Sequence, residues 1–356
     1  EEKLKKIGII QLSLKCILIY IKKLLDNILF KINENIMNDL APILLIAFNR
    51  PDHFNKTLFA LCKNNLAKES KLIISIDGPK NKNDENAQKL IFKSIENASE
   101  NFKSIHIIKN KKNKGLAINI VNSVSNILKE HKKIIVIEDD LITSKSFLKF
   151  MNDALDFYED KKKIWHINGH NIINYHHKKN EIFLWRFMNC WGWATWEDRW
   201  LNFEKNPNRL INSFNKEMIF RFNLDGTCFF WDQIKKNQTG ELNTWAIFWY
   251  ATIFENDGIC VSPWFSYVKN IGFDGSGTNC EDNKLLNKQT DLNNNGIFLG
   301  VDKDIEDINA LLLMKKAYKK SSIKRVISNL IKNLLGNEYY GKLRNLFKKV
   351  INSKYF

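Results

Sequence analysis

From Ile43 onward the chain repeats one pattern, a short run of β-branched and apolar residues followed by a helix-like stretch. Run starts fall roughly 30 residues apart, the cadence of βαβ units. The runs are Ile43 to Phe48, Leu72 to Ile76, Ile105 to Ile108, Ile134 to Ile137 and Ile164 to Ile167. Helices are expected between them over His53 to Cys62, Glu85 to Asn97, Leu116 to Glu130 and Ser144 to Tyr158. A helix between successive strands returns the chain to the edge where the last strand began, so such strands lie parallel and are covered on both faces. The expected fold class is α/β, with a Rossmann-like, mostly parallel central sheet between two helical layers. At 356 residues and 44% hydrophobic content, the chain can fill such a core.

After Tyr158 the cadence is lost. Tryptophans gather between Trp165 and Trp264 among loop-like Gly and Asn positions, so this half is expected to build a pocket. Residues 281–300 are Asn-rich and read as a polar connector. Beyond them Ile323, Val326, Ile327, Leu330, Ile331 and Leu334 recur at helical spacing, with Lys324, Arg325 and Lys332 off the stripe and Gly336 placed to end the helix. Such a stripe either packs on the domain or lies on a membrane.

Charge placement favours the membrane. The net charge is +16, yet seven Lys against four acids in residues 1–36, and twelve Lys/Arg against Glu338 in residues 314–356, leave only +2 for the middle. A surface built to track phosphates would carry its charge on the folded domain, so no nucleic acid is expected as a partner and an anionic membrane surface is. The apolar run Ile7 to Leu14 is broken by Lys15 and followed by Lys22 and Lys23, too short to span a bilayer. The expected location is cytoplasmic, peripheral to the inner face of the membrane. Six scattered cysteines with no C-x-x-C pair point to neither a zinc site nor a disulfide framework.

The chemistry sits at strand ends. Glu138, Asp139 and Asp140 follow directly on the Ile134 run, where open α/β sheets bind their ligands. Clustered carboxylates repel one another unless a cation joins them, and a divalent ion bridging a diphosphate would do so. A helix cap favoured by the dipole is the plainer reading of the same acids. Phe48-Asn49-Arg50-Pro51 and Asp77-Gly78-Pro79 end the first two runs and would face the same crevice. There Arg50 can meet phosphate and Asp77 a base or ribose group, while Asn113-Lys114-Gly115 lets a nucleotide approach closely. Trp191, Trp193 and Trp196 either pack as core or, as three indoles within six residues followed by Asp198 favour, offer their faces to a pyranose. Gly272 to Gly277 reads either as a mobile loop over the pocket or as a plain hairpin loop.

Taken with Thr244-Trp245-Ala-Ile247 and Asn270-Ile-Gly-Phe-Asp274-Gly-Ser-Gly-Thr278, these segments resemble bacterial glycosyltransferases of the GT-A fold related to N-acetylglucosaminyltransferase I, over Pro42 to Cys280. The resemblance implies a GT-A domain over 37–280, with a nucleotide-binding half (37–168) and an aromatic-rich half for donor sugar and acceptor (169–280). It is flanked by the basic extension 1–36, the connector 281–313 and basic amphipathic helices over 314–356. It implies that Asp140 holds a metal, Mn2+ or Mg2+, that Asn49, Arg50, Asp77, Lys114, Gly115, Glu138 and Asp139 serve the nucleotide, and that Trp191, Trp193, Trp196, Asp198, Trp245 and Asp274 serve sugar and acceptor. The acid beside the base favours a UDP-sugar.

Three positions depart from the family's pattern: Asn243 where relatives have Asp, Phe248 for Arg and Asn279 for His. An amide cannot take a proton from an acceptor hydroxyl, so Asp232 and Glu241 become the candidate bases. The expected activity is transfer of a sugar from a nucleotide diphosphate donor to a glycan or lipid-linked acceptor in bacterial surface polysaccharide synthesis, with inversion. A catalytically impaired relative or a non-enzymatic membrane-surface adaptor is the alternative. A nicotinamide dehydrogenase would need G-x-G-x-x-G after the first strand, and the chain has Phe48-Asn49-Arg50-Pro51 there.

Overall fold

A computed structural model of the chain describes residues 40–173, 175, 178, 180–275 and 291–319. The basic extension 1–36, the stripe from Ile323 and Asn279 lie outside the described residues. The expected α/β layering is present. An eight-stranded sheet runs β3-β2-β1-β4-β8-β6-β9-β7 between helices on both faces.

One half is purely parallel. β1 (Ile43–Ala47) pairs with β2 (Lys71–Ile76) on one side and β4 (Lys133–Glu138) on the other, and β2 pairs with β3 (Ser104–Lys109). Every β1 residue is buried, as a strand covered on both faces requires. Ile43, Leu45 and Ala47 face a core shared with α1 (Pro51–Cys62), α2 (Lys82–Asn97) and α4 (Phe147–Tyr158). Leu44 and Ile46 face α3 (Leu116–Glu130) and the aromatic helical layer. That alternation is the period-2 pattern of a strand with two hydrophobic sides.

The other half is mixed. Between β4 and β6 (Ile164–Asn168), expected as the next parallel strand, lies β8 (Trp193–Trp196), antiparallel to both. β9 (Ile259–Pro263) runs parallel to β6, and β7 (Ile182–Trp185) closes the edge antiparallel to β9. The tryptophan run expected to line a sugar pocket is thus a central strand. Trp193 and Trp196 are fully enclosed on opposite faces, with Trp196 Nε1 donating to the Leu155 carbonyl. Trp-Ala-Thr-Trp suits this place because aromatic and β-branched residues pack on a pleated surface.

Five short helices, α5 (Glu197–Trp200), α6 (Pro207–Ser213), α7 (Lys216–Phe222), α8 (Trp231–Gln238) and α9 (Ala246–Glu255), fill the second core with aromatic rings. Trp193 stacks on Trp245 at 5.2 Å and on His166 at 5.3 Å. His166 Nδ1 accepts from Trp249 Nε1 at 3.1 Å, and its Nε2 lies 3.1 Å from the Asn189 carbonyl. Those partners fix a neutral imidazole with its proton on Nε2, and burial pushes its pKa down to about 3. Trp245, at the start of α9, is equally enclosed and presents no face to a ligand.

The segment read as a connector is packed on the domain. Tyr158 Oη bonds both the carbonyl and the amide of Val301, and Glu306 holds Arg186 through four hydrogen bonds. Residues 308–319 are helical and place Ala310, Leu311 and Met314 in the second core, so the expected boundary at 313/314 falls inside a helix. No helix among the described residues is long and apolar enough to cross a membrane. Because Trp193 packs as core, Trp193→Ala is expected to lose about 3–5 kcal/mol of stability in urea denaturation. Trp193→Phe, which keeps the ring and removes an indole N–H that has no partner among the described residues, is expected to lose far less.

Candidate functional site

The parallel half puts four chain segments along one edge. Ala47 lies opposite Ile76, Ile76 opposite Lys109, and Ile46 opposite Glu138. The residues that follow, Phe48 to Arg50, Asp77 to Gly78, Asn110 to Gly115 and Asp139 to Asp140, therefore gather at the C-terminal edge. The chain moves outward from β1 to β2 and β3 and then returns to β4 on the other side of β1. That makes the β1–β4 junction the topological switch point, where open α/β sheets leave a crevice.

Arg50 and the acidic motif meet there. Arg50 stands at the N-cap of α1, with Pro51 at the first helical position. Its Nη2 donates to Asp139 Oδ1 and, at 2.9 Å, to Asp140 Oδ2. Thr57, farther along α1, donates from Oγ1 to the Asp139 carbonyl at 2.8 Å. Asp139 and Asp140 are buried and Glu138 is half-buried. Burial pushes Glu138 up to about 8, helped by the charges of Asp140 and Asp139. Burial also raises Asp139, to about 6, against the pull of Arg50. The guanidinium itself would be lowered by burial, but the two aspartates outweigh that and hold it above its ordinary value. Arg50 Nη1 is buried with no partner among the described residues.

A separate two-stranded sheet lies against Asp140. β5 (Leu141–Thr143) pairs antiparallel with β10 (Val268–Asn270), and the chain leaving β10 donates from Ile271 N to the Asp140 carbonyl at 2.9 Å. A Cβ at Gly272 would overlap Asp140 Oδ2, so glycine is needed for the loop to pass that close. Beyond it, Phe273 meets Trp191 edge to face at 5.5 Å, and Asp274 pairs with His53 Nε2 at 3.1 Å. Of the tryptophans expected at the site, Trp191 is the one half-buried beside this loop.

Asp77 is not open to a base. Its carboxylate accepts from the amides of Gly78, Lys114 and Gly115 and from Asn110 Nδ2, at 2.9 to 3.4 Å. It pins the loop ahead of α3, and a Cβ at Gly78 would strike the Lys112 backbone of that loop. Asn49 is likewise committed, donating to Asp84 at 2.7 Å and so tying the β1 end to the start of α2. Gln88, absent from the sequence reading, crosses between the Phe48 and Asp77 carbonyls. It sits on the inner face of α2, and its amphipathic position was the available signal.

The remaining expected residues form no hydrogen bond or ion pair with the acidic motif among the described residues. Asp198 pairs with Lys162 and Arg199 beside Trp196, at the edge of the sheet opposite the acidic motif. Asp232 and Glu241 are exposed in the helical layer, and Glu241 accepts from Thr239 at 2.9 Å. Asn243 accepts from Lys205, and Phe248 is core.

The donor set bears on a metal. Among the described residues no three His, Cys, Asp or Glu side chains form a group that could enclose an ion. Three carboxylates against one guanidinium still leave excess negative charge, and a divalent cation that takes one or two carboxylate oxygens and the rest from phosphate and water fits that arrangement. Asp140, with Asp139 beside it, would hold it.

No model of a known protein family matches the chain, and no curated protein does. Among solved structures it is similar to a mannosyltransferase from Pyrobaculum calidifontis in complex with GDP-Man and Mn2+, at 7% identity and TM-score 0.36, over 62% of this chain and 72% of that one. It is also similar to a UDP-glucose pyrophosphorylase complexed with UDP-glucose (15% identity, TM-score 0.28, 48% of this chain and 81% of that one). A third likeness is to a UTP-bound UGPase from Acinetobacter baumannii (6% identity, TM-score 0.32, 63% and 85%).

The raised carboxylates set a pH dependence. Unfolded, Glu138 and Asp139 titrate near 4.5 and 3.8; folded, near 8 and 6. Between these values the folded chain holds protons the unfolded chain has lost, so stability falls as pH rises from about 4 to about 8. Glu138→Gln is expected to melt less pH-dependently than the wild type across this window in the absence of divalent cations, as followed by circular dichroism.

Proposed function

We propose that the chain is a sugar-nucleotide-dependent transferase, and specifically a glycosyltransferase of GT-A type. Its donor is a nucleotide diphosphate sugar; a UDP-sugar is what the sequence resemblance implies, and with Asp77 committed to the loop before α3 that choice rests on the resemblance alone. The observation that carries this reading is the pairing at the switch point of clustered buried carboxylates with a guanidinium whose Nη1 has no partner among the described residues. A diphosphate with a divalent cation answers both: phosphate oxygens accept from Arg50, and the cation relieves the carboxylates. When bound, the Mn2+ or Mg2+ would offset charge growing on the departing nucleoside diphosphate.

This chain's own groups do the rest. Arg50 orients the diphosphate against α1. Asp77 keeps the Lys114–Gly115 turn in place, so its backbone and the Lys114 side chain can flank the nucleotide. Trp191, with Phe273, walls the sugar. Asp232 is assigned as the base that takes the proton from the acceptor hydroxyl, ahead of Glu241, whose carboxylate already accepts from Thr239. Direct attack on the anomeric carbon then inverts it. A glycan or lipid-linked acceptor at an anionic bacterial membrane suits the basic flanks, and surface polysaccharide synthesis is the fitting context.

The first test is a panel of nucleotide sugars with Mn2+, read by calorimetry and donor turnover. UDP-sugars are expected to bind in a metal-dependent way, and Asp140→Ala to abolish both binding and turnover with little change in fold. Metal-dependent UDP binding that survives the substitution would remove Asp140 from the site. UTP with a sugar 1-phosphate serves as the control, since product from that pair would place the reaction at phosphorus and not at the anomeric carbon. For the base, Asp232→Asn is expected to lower turnover about 10²- to 10⁴-fold with donor affinity unchanged, and Glu241→Gln to be mild. The reverse ranking would move the role to Glu241.

A further inference from the structure

A cleft of about 1020 Å3 runs along α1, with β5, β10 and the segment from Asp291 as its other walls. It lies next to the loop that bonds the acidic motif. Ile271, whose amide bonds the Asp140 carbonyl, lines it, as do His53 and Asp274. Its walls are basic: Lys56 and Lys63 come from α1, Lys145 follows β5, and Lys269 stands on β10 opposite Ile142. None of these four lysines is paired with an acid among the described residues. They outnumber the two aspartates of the lining, Asp274 and Asp291.

A second, independent feature belongs to the same wall. Ser144, in the lining, is 3% exposed, and its hydroxyl has no hydrogen-bond partner among the described residues. A buried hydroxyl left without a partner is uncommon, and a ligand oxygen drawn against this wall would supply one. Phe59, 60% exposed on the rim with the Lys63 ammonium 3.9 Å over its ring, adds an apolar surface beside the charge.

We propose that this cleft receives the phosphate end of the acceptor, with Lys56, Lys145 and Lys269 meeting phosphate oxygens and the Ser144 hydroxyl donating to one of them. That it is the acceptor rests on the function proposed above; that it binds phosphate rests on the cleft alone. A lipid-linked diphosphate and a phosphorylated soluble glycan share this chemistry.

The full chain, saturated with UDP and Mg2+ so that the nucleotide site is filled, is titrated with geranyl diphosphate and with inorganic pyrophosphate. Wild type is expected to bind, and the triple variant Lys56→Gln/Lys145→Gln/Lys269→Gln to bind about 10- to 100-fold more weakly, with UDP affinity unchanged. Ser144→Ala is expected to weaken the probe several-fold while leaving the melting temperature of the free protein unchanged or higher, since the hydroxyl it removes has no partner to lose. Tighter binding of geranyl diphosphate than pyrophosphate supports a lipid-linked acceptor, and equal binding a soluble one. Absence of binding by wild type, or equal binding by wild type and triple variant, overturns the proposal. If UDP fails to bind but the probes bind through the lysines, the transferase reading falls and the phosphate cleft stands.

Discussion

Three consecutive acids at the end of a buried strand cannot all stay ionised without a cation beside them, because burial and mutual repulsion both favour protonation. Arg50 supplies part of that charge, and its position is set by the register of β1 against β4. A one-residue slip would turn Glu138 and the strand's apolar residues to the wrong face, so the site and the core depend on the same ladder. The raised Glu138 and Asp139 show that one guanidinium is not enough. The imbalance left over is what the proposed divalent cation and phosphates would offset.

Around this pair the fold spends its polar groups on position. Asp77 gives its carboxylate to backbone amides ahead of α3, Asn49 binds Asp84, and Gln88 spans two strand ends. Buried loop backbone must be satisfied, and these side chains do so while fixing where each loop stands. Gly272 contributes by omission, allowing the strand β10 exit to lie directly on Asp140. The crevice is thus framed by residues that hold loops rather than by residues that reach a ligand themselves.

The aromatic half works differently. Trp193, Trp245, Trp200 and Trp249 pack ring on ring against a neutral His166, making a rigid floor under the second half of the sheet. The segment 291–319 straps both cores, through Tyr158 on one side and Arg186 on the other. The lysine-lined cleft lies on the α1 side, next to the loop whose Ile271 amide bonds the Asp140 carbonyl.

Much of the parallel half was legible in the sequence. The β-branched runs fixed β1 to β4 to within a residue or two, Leu116 to Glu130 matched α3 at both ends, and the acidic triplet announced itself by standing where a strand ends. These features are local, written in periodicity and in the residue that follows a strand. What the tertiary structure alone decided is non-local. Trp193 and Trp196 read as ligand walls because exposed and buried tryptophans have the same spelling, and only insertion of β8 between β4 and β6 shows that both faces of that strand are core. Asp77 looked available until the loop before α3 folded onto it, and Asp198 seemed close to the sugar until antiparallel pairing carried it to the opposite edge of the sheet. Sequence determined which residues were chemically able to act; strand order and register, which depend on contacts between distant segments, decided which of them meet.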